Sequence, residues 1–200
     1  MADLRTIEAI EYGTASAVRI KLSPDIYTQL FERFIAFDTE TTGLDPENDC
    51  IIELGAVLFE NGMLVNSFQS YVNTGIRIPA EVSAINHIKD AILQDAPPEQ
   101  DIYPKLMEFL GDAAVCKTVL CGHVAAFDLS FLCKALDRLK INAAFRFVDT
   151  RQLATQIPEL EHHSLTAVAD YFEISHEKGH QAKEDALTSG RILLKILERS

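Results

Sequence analysis

Arg33-Phe-Ile-Ala-Phe-Asp-Thr-Glu-Thr-Thr-Gly43 is the stretch of sequence on which the fold prediction depends. An apolar run leads into small polar residues, which is the pattern of a buried central strand followed by a turn. Side chains of a strand alternate between its two faces, so Asp38 and Glu40 project from the same face at the end of this strand. The stretch therefore predicts two carboxylates that converge beside a tight turn.

The residues after this strand continue a β-rich pattern and then become helical. Residues 51–59 and 64–72 are two further strands separated by Asn61-Gly62, a strong hairpin signal, so we expect an antiparallel meander of three strands. Two short strands are predicted later, at residues 118–121 and 146–148. Helical patterns are found at residues 81–86, 99–111, 125–139, 150–156, 164–171 and 181–199. Strands first and helices later, with a β-α-β crossover, indicate an α/β fold with one sheet flanked by helices.

The length and composition indicate one domain. Two hundred residues with 48% apolar content are enough for one well-buried core and too few for two ordinary catalytic domains. We assign residues 32–200 to this domain and residues 1–31 to an N-terminal extension of unknown role. No apolar run approaches the roughly 18 residues that span a bilayer, and the N-terminus lacks a secretory signal pattern. We therefore expect a cytoplasmic protein with no membrane partner.

The net charge limits the kind of ligand. Eighteen basic and thirty acidic residues leave a net charge of −12, which argues against broad, sequence-independent adhesion to a polyanion. Divalent cations bound by some of the carboxylates would add positive charge where a phosphate must lie, so a small electropositive site is compatible with an acidic protein. The four cysteines show no CxxC pair, so neither a zinc site nor a disulfide framework is indicated.

Two acids in the later helices occupy positions that are predicted to face the core. Asp128 and Asp185 each precede the apolar stripe of their helix by about one turn. Burying an unpaired carboxylate costs several kcal/mol, and crowding four together raises their pKa values. Since no arginine or lysine lies at a matching inward position, one or two Mg²⁺ or Mn²⁺ ions are the simplest compensation. Taken singly, each acid also fits a structural role as a strand-end acid, a helix N-cap or a first-turn residue favoured by the helix dipole.

Three ordered motifs carry a family resemblance. They are Phe37-Asp-Thr-Glu-Thr-Thr-Gly-Leu44, Gly122-His-Val-Ala-Ala-Phe-Asp-Leu-Ser-Phe-Leu132 and His180-Gln-Ala-Lys-Glu-Asp185, with supporting similarity at residues 52–57 and 164–174. In this order they resemble the motifs of the DnaQ-like exonucleases of the DEDDh type, represented by the proofreading epsilon subunit of bacterial DNA polymerase III and by RNase T. The resemblance covers roughly residues 32–197 and implies an RNase H-like fold with a five-stranded mixed sheet.

The resemblance implies a metal site and a general base. By it, Asp38, Glu40, Asp128 and Asp185 hold two divalent cations, Mg²⁺ or Mn²⁺, which stabilise the attacking and leaving oxygens of an in-line displacement at phosphorus. His180 would be the general base for the attacking water, because an imidazole with an unperturbed pKa of about 6.5 suits proton removal near neutrality. These five residues are the predicted catalytic set.

The resemblance also implies a nucleotide-binding set beside the metal site. Backbone amides and small hydroxyls of the turn after Asp38 would lie near the terminal nucleotide, and Leu44 would wedge against its base. The full set is Thr39, Thr41, Thr42, Gly43, Leu44, Asn86, His123 and Phe127. The chain departs from the family pattern at two places, since members commonly have His-Asn where it has His123-Val124, and His-Gly where it has Asn86-His87.

Together these features predict a metal-dependent 3′–5′ exonuclease that hydrolyses single-stranded or frayed DNA and releases nucleoside 5′-monophosphates. RNA is the nearest alternative substrate, because the choice depends on whether a 2′-hydroxyl fits, which no motif reveals. The expected partners are a nucleic-acid 3′ end and, by the resemblance to proofreading subunits, a DNA polymerase subunit. A third hypothesis is a non-catalytic adaptor of a polymerase assembly; the intact acids argue against it, since an inactive relative would be free to lose them.

Overall fold

The apolar part of the quoted stretch forms an interior strand of a mixed sheet. The computed structural model describes residues 8–176 and 180–199. Its strands are β1 (Ala9–Tyr12), β2 (Ala15–Arg19), β3 (Arg33–Thr41), β4 (Ile51–Glu60), β5 (Met63–Tyr71), β6 (Val115–Gly122) and β7 (Ala143–Asp149). They form one seven-stranded sheet in the order β1-β2-β7-β6-β3-β4-β5. β3 pairs in parallel with β6 and antiparallel with β4, so Phe34 to Phe37 are buried within the sheet.

Six helices of the described part of the chain begin and end close to the predicted positions. In the described ranges the helices are α1 (Pro24–Glu32), α2 (Ala80–Asn86), α3 (Asp90–Gln94), α4 (Glu99–Leu110), α5 (Ala125–Arg138), α6 (Thr150–Ala154), α7 (Leu165–Tyr171) and α8 (Ala182–Leu197). Of these, α1 and α3 were not predicted. A short 3-10 helix, Gly111–Ala114, joins α4 to β6. None of the helices in the described part of the chain is long and apolar enough to cross a membrane.

The sheet has seven strands, so the predicted count of five was wrong. The two additional strands, β1 and β2, come from the predicted N-terminal extension. β2 pairs in parallel with β7, and β1 pairs antiparallel with β2 at the edge of the sheet. Gly13, between them, has a φ of 41°, a conformation that glycine adopts without strain. Residues 1–7 of the extension lie outside the described residues.

The two faces of the sheet are covered by different helices. On one face Ile35 and Phe37 pack in a core cluster with α4 and α5. On the other face Phe34 packs in a cluster with α1 and α8. Because β3 continues this alternation, Glu40 projects toward the face of α8 and Thr39 toward the face of α5. The carboxyl end of β3 therefore presents polar groups to both helices.

Candidate active site

The carboxylates of β3 lie where β4 is packed most closely against α8. Asp38 is the register partner of Gly55 on β4, and Glu40 is the partner of Glu53. A Cβ atom on Gly55 would lie 2.2 Å from the carbonyl carbon of Ala182, so only glycine lets the first turn of α8 contact β4 here. This contact brings α8 beside both carboxylates.

The first turn of α5 places Asp128 against β3. Asp128 is buried, and its Oδ1 atom accepts hydrogen bonds from the backbone N–H of Thr39 at 2.9 Å and from the Thr39 hydroxyl at 2.8 Å. Val124 is the N-cap residue of α5, so the Asp128 carboxylate does not cap its own helix. The prediction that Asp128 faces inward is confirmed, and its partner is the strand that carries the other two acids.

The first turn of α8 supplies Asp185, and the residues just before it supply His180. The Oδ2 atom of Asp185 lies 3.9 Å from Nδ1 of His180. Ligand atoms of Glu40, His180 and Asp185 all lie within 4.8 Å of one another. The His180 side chain is 58% exposed, so water can reach the imidazole. Three of the five predicted catalytic residues thus form a group that could hold a metal ion.

Burial raises the pKa of all four acids, and repulsion among them raises the pKa of Asp38 and Glu40 further. The pKa of Asp38 lies well above its ordinary value because the carboxyl is buried and because Asp128, Asp185 and Glu40 surround it. Burial, followed by the charge of Asp185, raises the pKa of Glu40 to about 8. Burial also raises the pKa of Asp128, against the opposing hydrogen bonds from Thr39, and it raises the pKa of Asp185. Clustered acids of this kind hold protons near neutrality unless a cation replaces them.

Among the described residues, the four acids have no lysine or arginine partner that would balance their charge. In residues 8–176 and 180–199, no lysine or arginine forms an ion pair with Asp38, Glu40, Asp128 or Asp185. Carboxylate oxygens are the ligands that Mg²⁺ and Mn²⁺ prefer in proteins. The residues present therefore fit a divalent cation.

A groove of about 470 Å³ opens beside these carboxylates, between the turn after β3 and helix α2. Seven of the eight predicted nucleotide-binding residues line it, together with Glu40: Thr39, Thr41, Thr42, Gly43, Leu44, Asn86 and Phe127. The other lining residues are Pro79, Glu81, Val82 and Ile85. No lysine or arginine is among these lining residues, and the walls are mainly apolar. The groove therefore suits the faces of nucleobases better than a run of phosphates.

The turn that forms one wall of the groove is held by Asp49. The carboxylate of Asp49 accepts hydrogen bonds from the Thr42 hydroxyl and from the backbone N–H of Asp45, both at 3.0 Å. The backbone N–H of Cys50 donates in turn to the Thr42 hydroxyl. Leu44, at the tip of this turn, is 68% exposed. These bonds fix an apolar side chain in solvent at the rim of the groove.

His123 does not line the groove. Its Nδ1 atom lies 3.0 Å from the Thr150 hydroxyl, and its Nε2 atom lies 3.0 Å from the carbonyl oxygen of His163. Burial lowers the pKa of His123 to about 4, so the ring is neutral near pH 7. Both ring nitrogens are engaged within the protein, and the geometry gives the predicted nucleotide contact of His123 no support.

Val124 adopts the left-handed backbone conformation, with φ 70° and ψ 39°. Asparagine tolerates this region well, whereas a β-branched residue is strained there. The asparagine that the family commonly has at this position therefore matches the backbone better than valine does. The backbone N–H of Val124 donates to Asp149 Oδ1 at 3.2 Å, which helps to hold the start of α5.

Glu53 is a site residue that the sequence reasoning did not assign. It is 1% exposed and lies on β4 beside Glu40. Its charge raises the pKa of both Asp38 and Glu40. The available signal was an acid inside the otherwise apolar run of residues 51–59. Among the described residues, the acidic cluster therefore has five members rather than four.

Comparison with known proteins identifies the family. A family model described as Exonuclease matches residues 35–193. The chain belongs to this exonuclease family. DNA polymerase III PolC-type from Caldanaerobacter subterraneus subsp. tengcongensis is 35% identical over 167 residues, which cover 83% of the chain and 12% of that relative. The chain is thus similar to a small part of a much longer protein.

Solved structures of exonucleases share the fold. Exonuclease X, solved in complex with 5′-overhanging duplex DNA, is 24% identical and has a TM-score of 0.63, with 84% of this chain and 92% of that chain covered. The nuclease domain of 3′hExo, a DEDDh family member bound to rAMP, is 17% identical with a TM-score of 0.69, covering 85% and 94%. The family prediction is confirmed by the exonuclease family model, and these solved exonucleases share the predicted fold. Exonucleases of this type generally use divalent metal ions.

Proposed function

We propose that the chain hydrolyses phosphodiester bonds at the 3′ end of single-stranded or frayed DNA and releases nucleoside 5′-monophosphates. The observation that carries this proposal is the convergence of Asp38, Glu40, Asp128 and Asp185 beside an apolar groove, with no lysine or arginine of the described residues paired to them. Carboxylates in this arrangement suit metal-dependent phosphoryl chemistry, and the groove suits the bases next to the bond that is cut.

In this proposal the four acids hold two divalent cations, Mg²⁺ or Mn²⁺. A bound pair supplies positive charge that stabilises both the attacking and the leaving oxygen. The protein keeps the acids in place through neighbours: Thr39 donates two hydrogen bonds to Asp128. Asn86, which is buried, hydrogen-bonds to Glu40 and lowers its pKa against the effect of burial. Pre-arranged ligands lose little freedom when the cations bind.

His180 is the proposed general base. Its imidazole is exposed to water and has one nitrogen 3.9 Å from a carboxylate oxygen of Asp185. An imidazole in this position can take a proton from the attacking water. His180 thus stands at the water-accessible side of the acid cluster, where the nucleophile must arrive.

The groove residues are proposed to grip the last bases of the strand. Leu44 on one wall and Ile85 on the other are 68% and 58% exposed, so a base placed between them would remove apolar surface from water. Phe127 also lines the groove and offers an aromatic ring to a base or sugar. A strand with unpaired bases fits this description better than an intact duplex, because only unpaired bases can turn their faces to such walls.

The experiment is hydrolysis of two oligonucleotides, one labelled at the 3′-terminal nucleotide and one at the 5′ end, with Mg²⁺ or Mn²⁺. We expect the 3′ label to be released first as a mononucleotide and the 5′-labelled strand to shorten stepwise. Asp38→Ala should lose this activity. Release of the 5′ label first, or full activity of Asp38→Ala, would refute the polarity or the metal assignment respectively.

RNA remains the second candidate substrate. The Exonuclease X structure contains duplex DNA and the 3′hExo structure contains rAMP, so the shared fold accommodates both sugars. DNA is preferred here because the relatives in sequence are DNA polymerases of the PolC type, which also suggests a polymerase as partner. Matched DNA and RNA strands in the same assay decide between them. A non-catalytic adaptor is the least supported function, since Asp38, Glu40, Asp128, Asp185 and His180 are all present.

A further inference from the structure

We propose that Glu53 is a positioning residue, which holds the first turn of α8 so that Asp185 and His180 stay aligned with the carboxylates of β3. This inference rests on the proposed exonuclease function, because it concerns the same site. Glu53 lies on β4, opposite Glu40, and only 1% of it is exposed. It therefore sits at the contact between the sheet and α8.

Each carboxylate oxygen of Glu53 has a partner. Oε1 accepts a hydrogen bond from Nε2 of Gln69 at 2.6 Å, and Oε2 accepts one from the backbone N–H of Ala182 at 3.4 Å. Ala182 is the first residue of α8, and the N-cap residue Gln181 makes no side-chain hydrogen bond. The first N–H groups of a helix have no partner within the helix. Glu53 thus serves as the capping side chain, although it comes from a neighbouring strand.

Gly55 shows how closely α8 is seated. Residues two apart on a strand share a face, so Gly55 and Glu53 face the same helix end. An added Cβ on Gly55 would lie 2.2 Å from the carbonyl carbon of Ala182. The start of α8 therefore packs directly on Gly55 and is hydrogen-bonded to Glu53. Because Asp185 follows Ala182 within one turn and His180 precedes it by two residues, a shift of the start of α8 relative to β4 would move both side chains.

The charge of Glu53 also needs a compensating contact. It adds to the repulsion within the acid cluster, since it raises the pKa of Asp38 and Glu40. In the part of the chain that the structure describes, no lysine or arginine forms an ion pair with Glu53. The positive end of the α8 dipole favours a carboxylate here. The charge of Lys183, in the first turn of α8, also favours this carboxylate, so Glu53 is stabilised by the start of the helix that it positions.

The test compares Glu53→Ala with Glu53→Gln. The amide oxygen of glutamine can accept from Ala182, and Gln69, which is exposed, can turn its own amide oxygen toward the new donor. Glu53→Ala is expected to lower kcat about 10- to 100-fold, as removal of outer-shell partners of metal ligands does. The oligonucleotide KM should stay within about twofold, and Glu53→Gln should keep kcat within about threefold, because uniform substrate binding is untouched.

A second readout needs no activity. Hydrogen–deuterium exchange in EDTA should become faster at residues 182–186 in Glu53→Ala and stay unchanged in Glu53→Gln. Glu60→Ala, at the other end of β4 and paired with Arg33, is the matched control and should behave as wild type in both assays. Unchanged kcat or unchanged exchange in Glu53→Ala would overturn the proposal. Equal loss of activity in Glu53→Gln would overturn it too, because it would make the charge itself essential, as for a metal ligand.

Two further outcomes are distinguishable. If Glu53→Ala does not fold, the double variant Glu53→Gln/Gln69→Glu decides, because it keeps both hydrogen bonds and moves the charge across to β5. A positioning role predicts wild-type kcat in this variant. A kcat that falls about tenfold or more overturns the proposal, because both hydrogen bonds are still present. If the wild type itself releases no nucleotide, the proposed function fails, while the exchange measurement still tests the tie between Glu53 and α8.

Discussion

Asp38 is the acid of the site that is both buried and repelled by its four acidic neighbours. It is surrounded by Asp128, Asp185, Glu40 and Glu53, and its pKa lies well above the ordinary value because of burial and these charges. In the proposed function Asp38 binds a cation, so it would destabilise the protein alone and be required for activity. Replacing it separates the two.

Asp38→Asn is therefore expected to abolish metal-dependent hydrolysis and to raise the thermal unfolding temperature in EDTA, by about 2–4 °C for each kcal/mol of repulsion removed. When the pKa of an acid is raised in the folded state, the protein becomes less stable as the pH rises from the pKa of the unfolded state, about 4, toward the pKa of the folded state. For Glu40 the folded pKa is about 8, so the wild-type unfolding free energy in EDTA should fall between about pH 4.5 and 8.

Asp38→Asn should make this decline shallower, and Asp95→Asn, at the exposed end of α3, should leave it unchanged. Denaturant titrations from pH 4.5 to 8 measure the slope. A wild-type protein in EDTA that becomes more stable over this range would contradict the repulsion among the acids.

Val124 affects the stability of the protein through its backbone conformation rather than through its contacts. Its left-handed backbone costs an L-residue roughly 1–2 kcal/mol, and asparagine is among the residues that pay least. Val124→Asn should stabilise the protein by about 1 kcal/mol, or about 2–4 °C. The exposed Val115, whose φ of −126° lies outside the left-handed region, is the control, and Val115→Asn should give no gain. Thermal unfolding of the two variants checks this, and equal shifts would refute the strain argument.

The inward acids were predictable at the residue scale, because Asp128 and Asp185 interrupt apolar helical stripes. The role of Glu53 was not, since it depends on Ala182, which lies 129 residues away in sequence. His123 is a residue for which the sequence predicted a contact that the structure does not support. Its motif matches the family, yet its ring nitrogens contact Thr150 and the carbonyl of His163, partners that only tertiary packing brings together.

Among the elements, α2 forms an apolar wall of the groove and carries none of the five acids of the cluster, although its last residue, Asn86, hydrogen-bonds to Glu40. Ile85 of α2 lines the groove and is 58% exposed. Ile85→Ser should raise the oligonucleotide KM roughly fivefold, which corresponds to about 1 kcal/mol of lost apolar burial, with little change in kcat.

The matched control for this wall is Ile92→Ser. Ile92 belongs to α3, is 40% exposed and does not line the groove. Steady-state kinetics with a single-stranded oligonucleotide should distinguish the two variants. A lower kcat with unchanged KM in Ile85→Ser would show that α2 acts on the chemistry rather than on strand binding.

The elements that could be predicted were those with long apolar periodicity. The meander and helices α4, α5 and α8 follow from such patterns. β1 and β2 are only four and five residues long, and their burial depends on pairing with β7, far along the chain. Gly13 between them was the available turn signal, with a φ of 41°. Short strands whose partner is distant leave too little local pattern to be assigned.

At the scale of the whole molecule, the net charge of −12 and the groove without lining cations lead to an unusual salt response. Proteins that neutralise 6–10 phosphates lose roughly 10³- to 10⁵-fold in affinity between 50 and 200 mM salt. Here the expected rise in oligonucleotide KM over that range is less than about tenfold, because few phosphates are neutralised. Kinetics at fixed Mn²⁺ measure it, and a mononucleotide p-nitrophenyl ester serves as the control for effects on the metal site. A steep rise for the oligonucleotide alone would reveal a basic track outside the groove.

In the proposed function, the short apolar groove also limits how long a strand remains bound. With contacts to only the last bases, the enzyme would release the shortened strand after each cut, so unaided digestion would be distributive rather than processive. Holding the strand nearby would then fall to another module. A polymerase tethered to this domain could present a frayed end at an effective concentration in the millimolar range, about the level that short flexible linkers provide. Weak capture would in that case be useful, because a correctly paired end would leave before it was cut.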